Sequence, residues 1–225
     1  MGKILDRLAQ DVRFQEGLTA CIGCGTCTAI CPAAEFYDYD PRKVVALVQR
    51  RSEEELEQLL RGEQIWCCGE CMSCATRCPR SNAAGLIIMA LRALSQDLGY
   101  FVESRKGRQQ LALRHAIGGN ILTHGYCIYV RGLLPENHPE AGTVWEWEYR
   151  NVDDVFARLG GNLDGEGTGI LRKIPQQSLD ELRRIFEVTG AFARFERIER
   201  YSAQKAQELG LSMEEYITKT YTGEL

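Results

Sequence analysis

Apolar residues in this chain recur at helical spacing. Val44, Leu47 and Val48 share one face behind Pro41, a residue suited to a first helical turn. Ser52 and Glu55 form a capping-box pattern ahead of Leu56, Leu59 and Leu60, and Gly62 stops that run. Nothing in this stretch alternates with period two, so no hairpin is expected there. Further on, Ile87, Leu91, Leu94 and Leu98 line a second face that ends at Gly99. A helix is expected over 104–117, closing at Gly118-Gly119. Residues 119–175 are rich in Gly, Pro and aromatics, and predict an irregular segment with one short helix around 152–159. Ser178 and Glu181 predict the start of a capped helix bearing Leu182, Ile185 and Phe186. Helix continues over 191–209, and Ser212 with Glu215 caps a last short one. The expected fold class is mainly α.

A length of 225 residues holds one domain with a sizeable appendage, or two small domains. The formal charge is −4, so no basic surplus exists to neutralise a phosphate backbone, and nucleic acid is not expected as a partner. Charges at Lys3, Asp6, Arg7, Asp11 and Arg13 interrupt the N-terminus, which therefore does not have the pattern of a secretory signal. The longest apolar run, Ala83 to Ala93, is too short to span a bilayer and is broken by Arg92. A cytoplasmic chain with reduced thiols is expected, with no direct membrane insertion.

Cysteine changes the picture most. Nine of the ten cysteines fall within residues 21–78, and only Cys127 lies outside. Two runs repeat one pattern: Cys21, Cys24, Cys27 and Cys31 before Pro32, and Cys68, Cys71, Cys74 and Cys78 before Pro79. Both follow C-x2-C-x2-C-x3-C-P, the run that holds [4Fe–4S] clusters in two-cluster ferredoxins, where the fourth cysteine of each run serves the other cluster. Three thiolates two residues apart can wrap three corners of one cube in a tight loop, and the fourth corner must come from elsewhere. Proline after the fourth cysteine fixes a turn and leads the chain away. Gly23 and Gly25 lack a Cβ and let backbone N–H groups approach the sulfurs. The expected ligands are thus Cys21, Cys24, Cys27 and Cys78 for one cluster, and Cys68, Cys71, Cys74 and Cys31 for the other. With four cysteines each, neither cube keeps an open iron for a substrate, which points to a conductor. Zinc, which takes C-x2-C pairs two at a time, accounts less well for two complete runs. Disulfides suit neither the compartment nor the clustering.

Smaller signals point to packing. Cys67 beside Trp66 and Cys127 within Tyr126–Val130 are expected as small buried residues. His115, His124 and His138 share no ligand spacing. Cys67-Cys68-Gly69 has the form of a CCG motif, but the far-downstream C-x2-C that such a motif needs is missing after Cys78. There is no G-x-G-x-x-G opening a helix after a strand, and no Walker A pattern, so neither flavin nor nucleotide is expected on the chain itself. The aromatic stretch 144–149, with Trp145, Trp147 and Tyr149, suits either a docking surface or packing over the helices.

The stretch from Glu16 through Gly99, with ACIGCGTCTAICP, the helix PRKVVALVQR, Trp66 and CMSCATRCP, resembles the C subunit of heterodisulfide reductase. The resemblance implies an α-helical ferredoxin domain with two [4Fe–4S] clusters over 1–100, and a helical and irregular C-terminal extension over 101–225 for partner docking. That extension is similar to the version in the sulfur-oxidising, heterodisulfide-reductase-like (sHdr) complex. The likeness implies an electron-transfer subunit between an A-type flavoprotein and a B-type CCG subunit, with sulfane or thiol oxidation occurring on those partners. Two alternatives stand beside it: the iron–sulfur subunit of a 2-hydroxy-acid or glycerol-3-phosphate dehydrogenase complex, and a free-standing two-cluster ferredoxin.

Overall fold

The computed structural model describes residues 3–225. No strand occurs among them, and they divide into two units, one ending at Arg108 and the other running from Gln109 to Leu225.

The first unit is built from α1 (Lys3–Gln10), α2 (Val12–Gly17), α3 (Thr26–Ala29), α4 (Ala33–Phe36), α5 (Pro41–Arg50), α6 (Glu53–Arg61), α7 (Ser73–Arg77), α8 (Ala84–Leu98) and α9 (Arg105–Arg108). Helix α8 is its hub. It packs on α1, α2, α5, α6 and α7, and buries Ile87, Ile88 and Leu91 completely. Burial on most sides explains why its sequence is an apolar run and not a narrow stripe. One polar residue in it, Ser95, is buried too, and donates its hydroxyl to the Leu60 carbonyl at 2.7 Å.

Capping follows the chemistry of the sequence, with changes. Asp40 caps α5 by accepting from the Arg42 and Lys43 backbone N–H groups, with Pro41 in the first turn. Ser52 caps α6 through the Glu55 N–H. The reciprocal half of that box does not form, because the Glu55 carboxylate turns to Arg50 at 2.8 Å. Glu53 instead accepts from the backbone of Ile4 and Leu5 at the start of α1, so one helix terminus is satisfied by a side chain from another.

The second unit contains α10 (Gln110–Leu113), a π-helical turn (Arg114–Gly118), α11 (Gly119–His124), α12 (Gly142–Arg150), α13 (Val152–Arg158), α14 (Gln176–Val188), α15 (Ala191–Glu208) and α16 (Met213–Thr222). The expected stop at Gly118-Gly119 does not occur. The chain continues through the π turn and ends at Gly125, whose φ of 78° only glycine adopts readily. Gly118 serves packing: a Cβ there would lie 2.7 Å from the Phe195 ring. Residues 119–175 hold more helix than expected, since α12 precedes the helix anticipated around 152–159. Ser178 lies inside α14, which starts after Pro175 with no side-chain cap. Ser212 and Glu215 form a complete capping box on α16. Leu111, Ile198, Ala206 and Tyr216 form the buried centre where α10, α15 and α16 meet. A second apolar cluster joins Tyr129, Val130, Val152 and Leu171, with Trp145 against it.

Candidate functional site

The site lies in the first unit, where two short helices carry the cysteine runs. Each run winds through two left-handed residues into its helix. In the first these are Gly23 (φ 69°) and Gly25 (φ 82°); in the second they are Glu70 (φ 55°) and Met72 (φ 60°). Both loops aim backbone N–H groups inward. Gly23 N–H donates to the Cys21 sulfur and Glu70 N–H to the Cys68 sulfur, each at 3.4 Å. The middle thiols match as well. Cys24 lies 3.4 Å from the Thr26 hydroxyl, and Cys71 lies 3.4 Å from the Ser73 hydroxyl. Those hydroxyl contacts hold both thiols below their ordinary pKa. Burial acts the other way on Cys27 and Cys68, and pushes both up. The Cys74 sulfur accepts from the Gly85 N–H at the start of α8, at 3.4 Å.

Helices α3 and α7 pack together, and two cavities open beside them. Cys21, Cys24, Cys27 and Cys78 line the first. Cys68, Cys71, Cys74 and Cys31 line the second. Cys27 and Cys74 lie between the two and border both. The pairing of ends has a visible cause. Thr19, just ahead of the first run, donates its N–H to Asn82 Oδ1 at 2.7 Å and its hydroxyl to the Arg80 carbonyl at 3.2 Å. Asn82 in turn donates from Nδ2 to the Ala20 carbonyl at 3.2 Å. The backbone bond from Ala83 N–H to the Gly17 carbonyl, 2.8 Å, continues the clasp. The exit of the second run is thus held against the entry of the first. Asp40 does the corresponding work between α3 and α5, accepting from the Thr28 hydroxyl at 2.5 Å.

The thiols ring a space and do not converge on a point. Among the described residues, no three His, Cys, Asp or Glu side chains come together as ligands of a single ion. A cube asks for that arrangement, because each of its irons takes a separate thiolate. The donor set and the inward N–H groups fit [4Fe–4S] clusters.

Two remaining cysteines part company. Cys67 is buried, and its thiol donates to the Glu63 carbonyl at 3.5 Å, in keeping with a packing role. Cys127 is exposed, against expectation. Its neighbours Tyr129 and Val130 enter the apolar cluster, while the chain turns Cys127 and Ile128 outward. The histidines bind side chains: His124 stacks on Tyr129, and His115 meets Glu199 at 2.9 Å. The aromatic stretch divides, with Trp145 donating to the Leu133 carbonyl while Trp147 is exposed. Sequence patterns gave no sign of Arg92 or Tyr39 at the second run, since both enter through long-range contacts.

Residues 17–82 match the model of the 4Fe–4S dicluster domain. The C subunit of the ferredoxin:CoB-CoM heterodisulfide reductase of Methanosarcina acetivorans is 31% identical over 195 residues, covering 87% of this chain and 70% of that protein. The chain belongs to the family of heterodisulfide reductase C subunits. An iron–sulfur C subunit of the CoB–CoM heterodisulfide reductase of Methanocaldococcus jannaschii is 32% identical over 144 residues, covering 62% of this chain and 71% of that one. As a C subunit by family, the chain keeps the iron–sulfur domain in its first unit. No helix among its described residues is long and apolar enough to cross a membrane.

Proposed function

We propose that this chain conducts electrons through two [4Fe–4S] clusters within a heterodisulfide-reductase-type complex, passing them between an A-type flavoprotein subunit and a B-type CCG subunit. The observation that carries this is the pair of cavities, each bordered by three cysteines of one run and the fourth cysteine of the other. One cluster is held by Cys21, Cys24, Cys27 and Cys78, and the other by Cys68, Cys71, Cys74 and Cys31. The clusters supply one-electron redox steps; the chain sets their spacing, their hydrogen bonds and their access. Cys27 and Cys74 border both cavities, which supports cubes lying side by side for transfer. Cys24 and Cys71 are exposed, so each cube has an outer corner where a partner can exchange electrons.

The second unit supports a role inside a complex. Ile128, Val144 and Trp147 are 62%, 67% and 58% exposed, and exposed tryptophan is common among interface anchors. Its length does not separate sulfur oxidation from heterodisulfide reduction, because the match to the Methanosarcina relative already spans 87% of this chain. The proposed chemistry on the partners is therefore thiol–disulfide redox, with sulfane or thiol oxidation as the direction expected from the sHdr likeness.

Anaerobic purification with iron and sulfide analysis tests the cluster content. About eight irons, and the EPR spectrum of two interacting cubes after reduction, are expected. Stoichiometric zinc with no iron–sulfur absorbance overturns it. Co-expression with candidate A and B subunits tests the relay, which is expected to copurify and to pass electrons from flavin to the CCG protein.

A further inference from the structure

Tyr39 connects α4 to α5 and is 3% exposed. Its ring borders the second cavity together with Cys31, Pro32 and Cys68. The hydroxyl is buried, with no nitrogen or oxygen partner, and lies against the Cys68 thiol. A buried tyrosine hydroxyl commonly meets an oxygen or nitrogen, because one without a partner loses its water for nothing; here a sulfur takes that place. The thiols of Cys68 and Cys31 face it, with the Arg92 guanidinium acting more weakly from the same surroundings. Its phenolic O–H is a hydrogen-bond donor, and the acceptors beside it are the sulfurs of Cys68 and Cys31. No tyrosine lines the first cavity, where Thr26, Arg42, Val45, Arg80 and Asn82 are found.

We infer that Tyr39 is a potential-setting residue, donating its hydroxyl hydrogen to a sulfur of the cluster held by Cys31, Cys68, Cys71 and Cys74. This rests on the two-cluster reading above. Reduction adds one electron, supplied by the redox partner, to the cube and its thiolates. The O–H dipole aimed at that sulfur stabilises the added charge more than it stabilises the oxidised cube. No bond breaks, and the proton stays on Tyr39. The second cluster is therefore easier to reduce than its cysteines alone would make it, and the two cubes are rendered unequal by one residue outside either run.

The test is an EPR-monitored redox titration of the anaerobic holoprotein, comparing the parent chain with Tyr39→Phe. The parent must first show about eight irons and two midpoints; a parent without clusters overturns the cluster reading and this inference with it. Given that, Tyr39→Phe with unchanged iron content is expected to lower one midpoint and leave the other in place. The expected change is a roughly tenfold loss in the reduction constant, about 59 mV for one electron. Two unmoved midpoints overturn the inference while the cluster reading stands, and so do two that move together. Should Tyr39→Phe lose iron, site-specific fluorotyrosine at position 39 decides the matter. A stronger donor of nearly the same size is expected to raise one midpoint, and no change overturns the inference.

Discussion

The Arg92 guanidinium donates from Nη2 to the carbonyl oxygen of Cys68 at 2.5 Å. The same group donates from Nε to the Ile65 carbonyl at 2.6 Å and from Nη1 to Glu70 at 2.5 Å, and it lies over the Trp66 ring. The charge that interrupts an apolar helix is thus the brace of the second cysteine loop. Glu70, held by it, is one of the two residues that the loop places in the left-handed region.

Arg92→Met should therefore loosen the second run before the first. Hydrogen bonds to a charged group contribute about 1.5–3 kcal/mol each, so a net loss of about 3 kcal/mol is expected once partial resolvation of the carbonyls is allowed for. The measurement is cluster bleaching against guanidinium chloride, with half the iron released at lower denaturant than the rest. Arg92→Lys should not restore the parent midpoint, because an ammonium cannot span two carbonyls and a carboxylate in one plane. Equal midpoints for Arg92→Lys and the parent would count against the bracing role.

Arg51 closes α5 with φ 57°, a left-handed conformation that costs a side chain but not glycine. It is exposed, so little packing is lost on its removal. Arg51→Gly is expected to stabilise the first unit by about 0.5–1 kcal/mol, the relief of strain exceeding the added entropy of the unfolded chain. A rise in the denaturant midpoint at unchanged slope is the expected result; a fall would show that the terminus is not strained.

The cysteine runs are legible in sequence because their pattern is local: the same gaps and a closing proline occur in both. Ile87, Leu91 and Leu94 are legible as a buried face for a similar reason. What the pattern does not carry is contact at long range. Thr19 and Asn82 are 63 positions apart, and Arg92 and Cys68 are 24 apart. No local spacing records either pair. Cys127 reads as buried because its neighbours are apolar, yet the backbone there turns Cys127 and Ile128 outward while Tyr129 and Val130 face in. Helix α12 is hidden by flanking Gly and Pro, although Trp145 anchors it to the second apolar cluster.

In the second unit, Tyr129 donates its hydroxyl to both oxygens of Asp164, at 2.7 and 2.9 Å. Burial, aided by that carboxylate, pushes its pKa up to about 12. The folded state thus holds this proton more tightly than the unfolded chain, whose tyrosines titrate near 10. The stabilisation is fully present below about pH 10 and is lost as the pH rises toward 12. Tyr129→Phe should remove most of that pH dependence, on the order of 1–2 kcal/mol once solvent screening at the half-exposed Asp164 is allowed for. Denaturation followed by tryptophan emission between about pH 8 and pH 12 should show the variant's stability falling less steeply than the parent's. Parallel curves would mean that the Asp164 contact does not govern the proton.

Cys31→Ser and Cys78→Ser separate crossed from uncrossed ligation. In the crossed arrangement, Cys78→Ser should disturb the cluster built on Cys21, Cys24 and Cys27, while Cys31→Ser should disturb the one built on Cys68, Cys71 and Cys74. The two cubes can be told apart by pairing each variant with Tyr39→Phe, since that change is expected to move only the midpoint of the second cluster. The Tyr39-sensitive signal should then survive Cys78→Ser and be altered or lost in Cys31→Ser. The clasp between Thr19 and Asn82 gives the physical reason, because it holds the chain just after Cys78 beside the entry of the first run. The reverse pattern would return each fourth cysteine to its own loop. Asn82→Ala adds an independent check: with Cys78 no longer clasped, the Tyr39-insensitive cluster should be the first to bleach in denaturant.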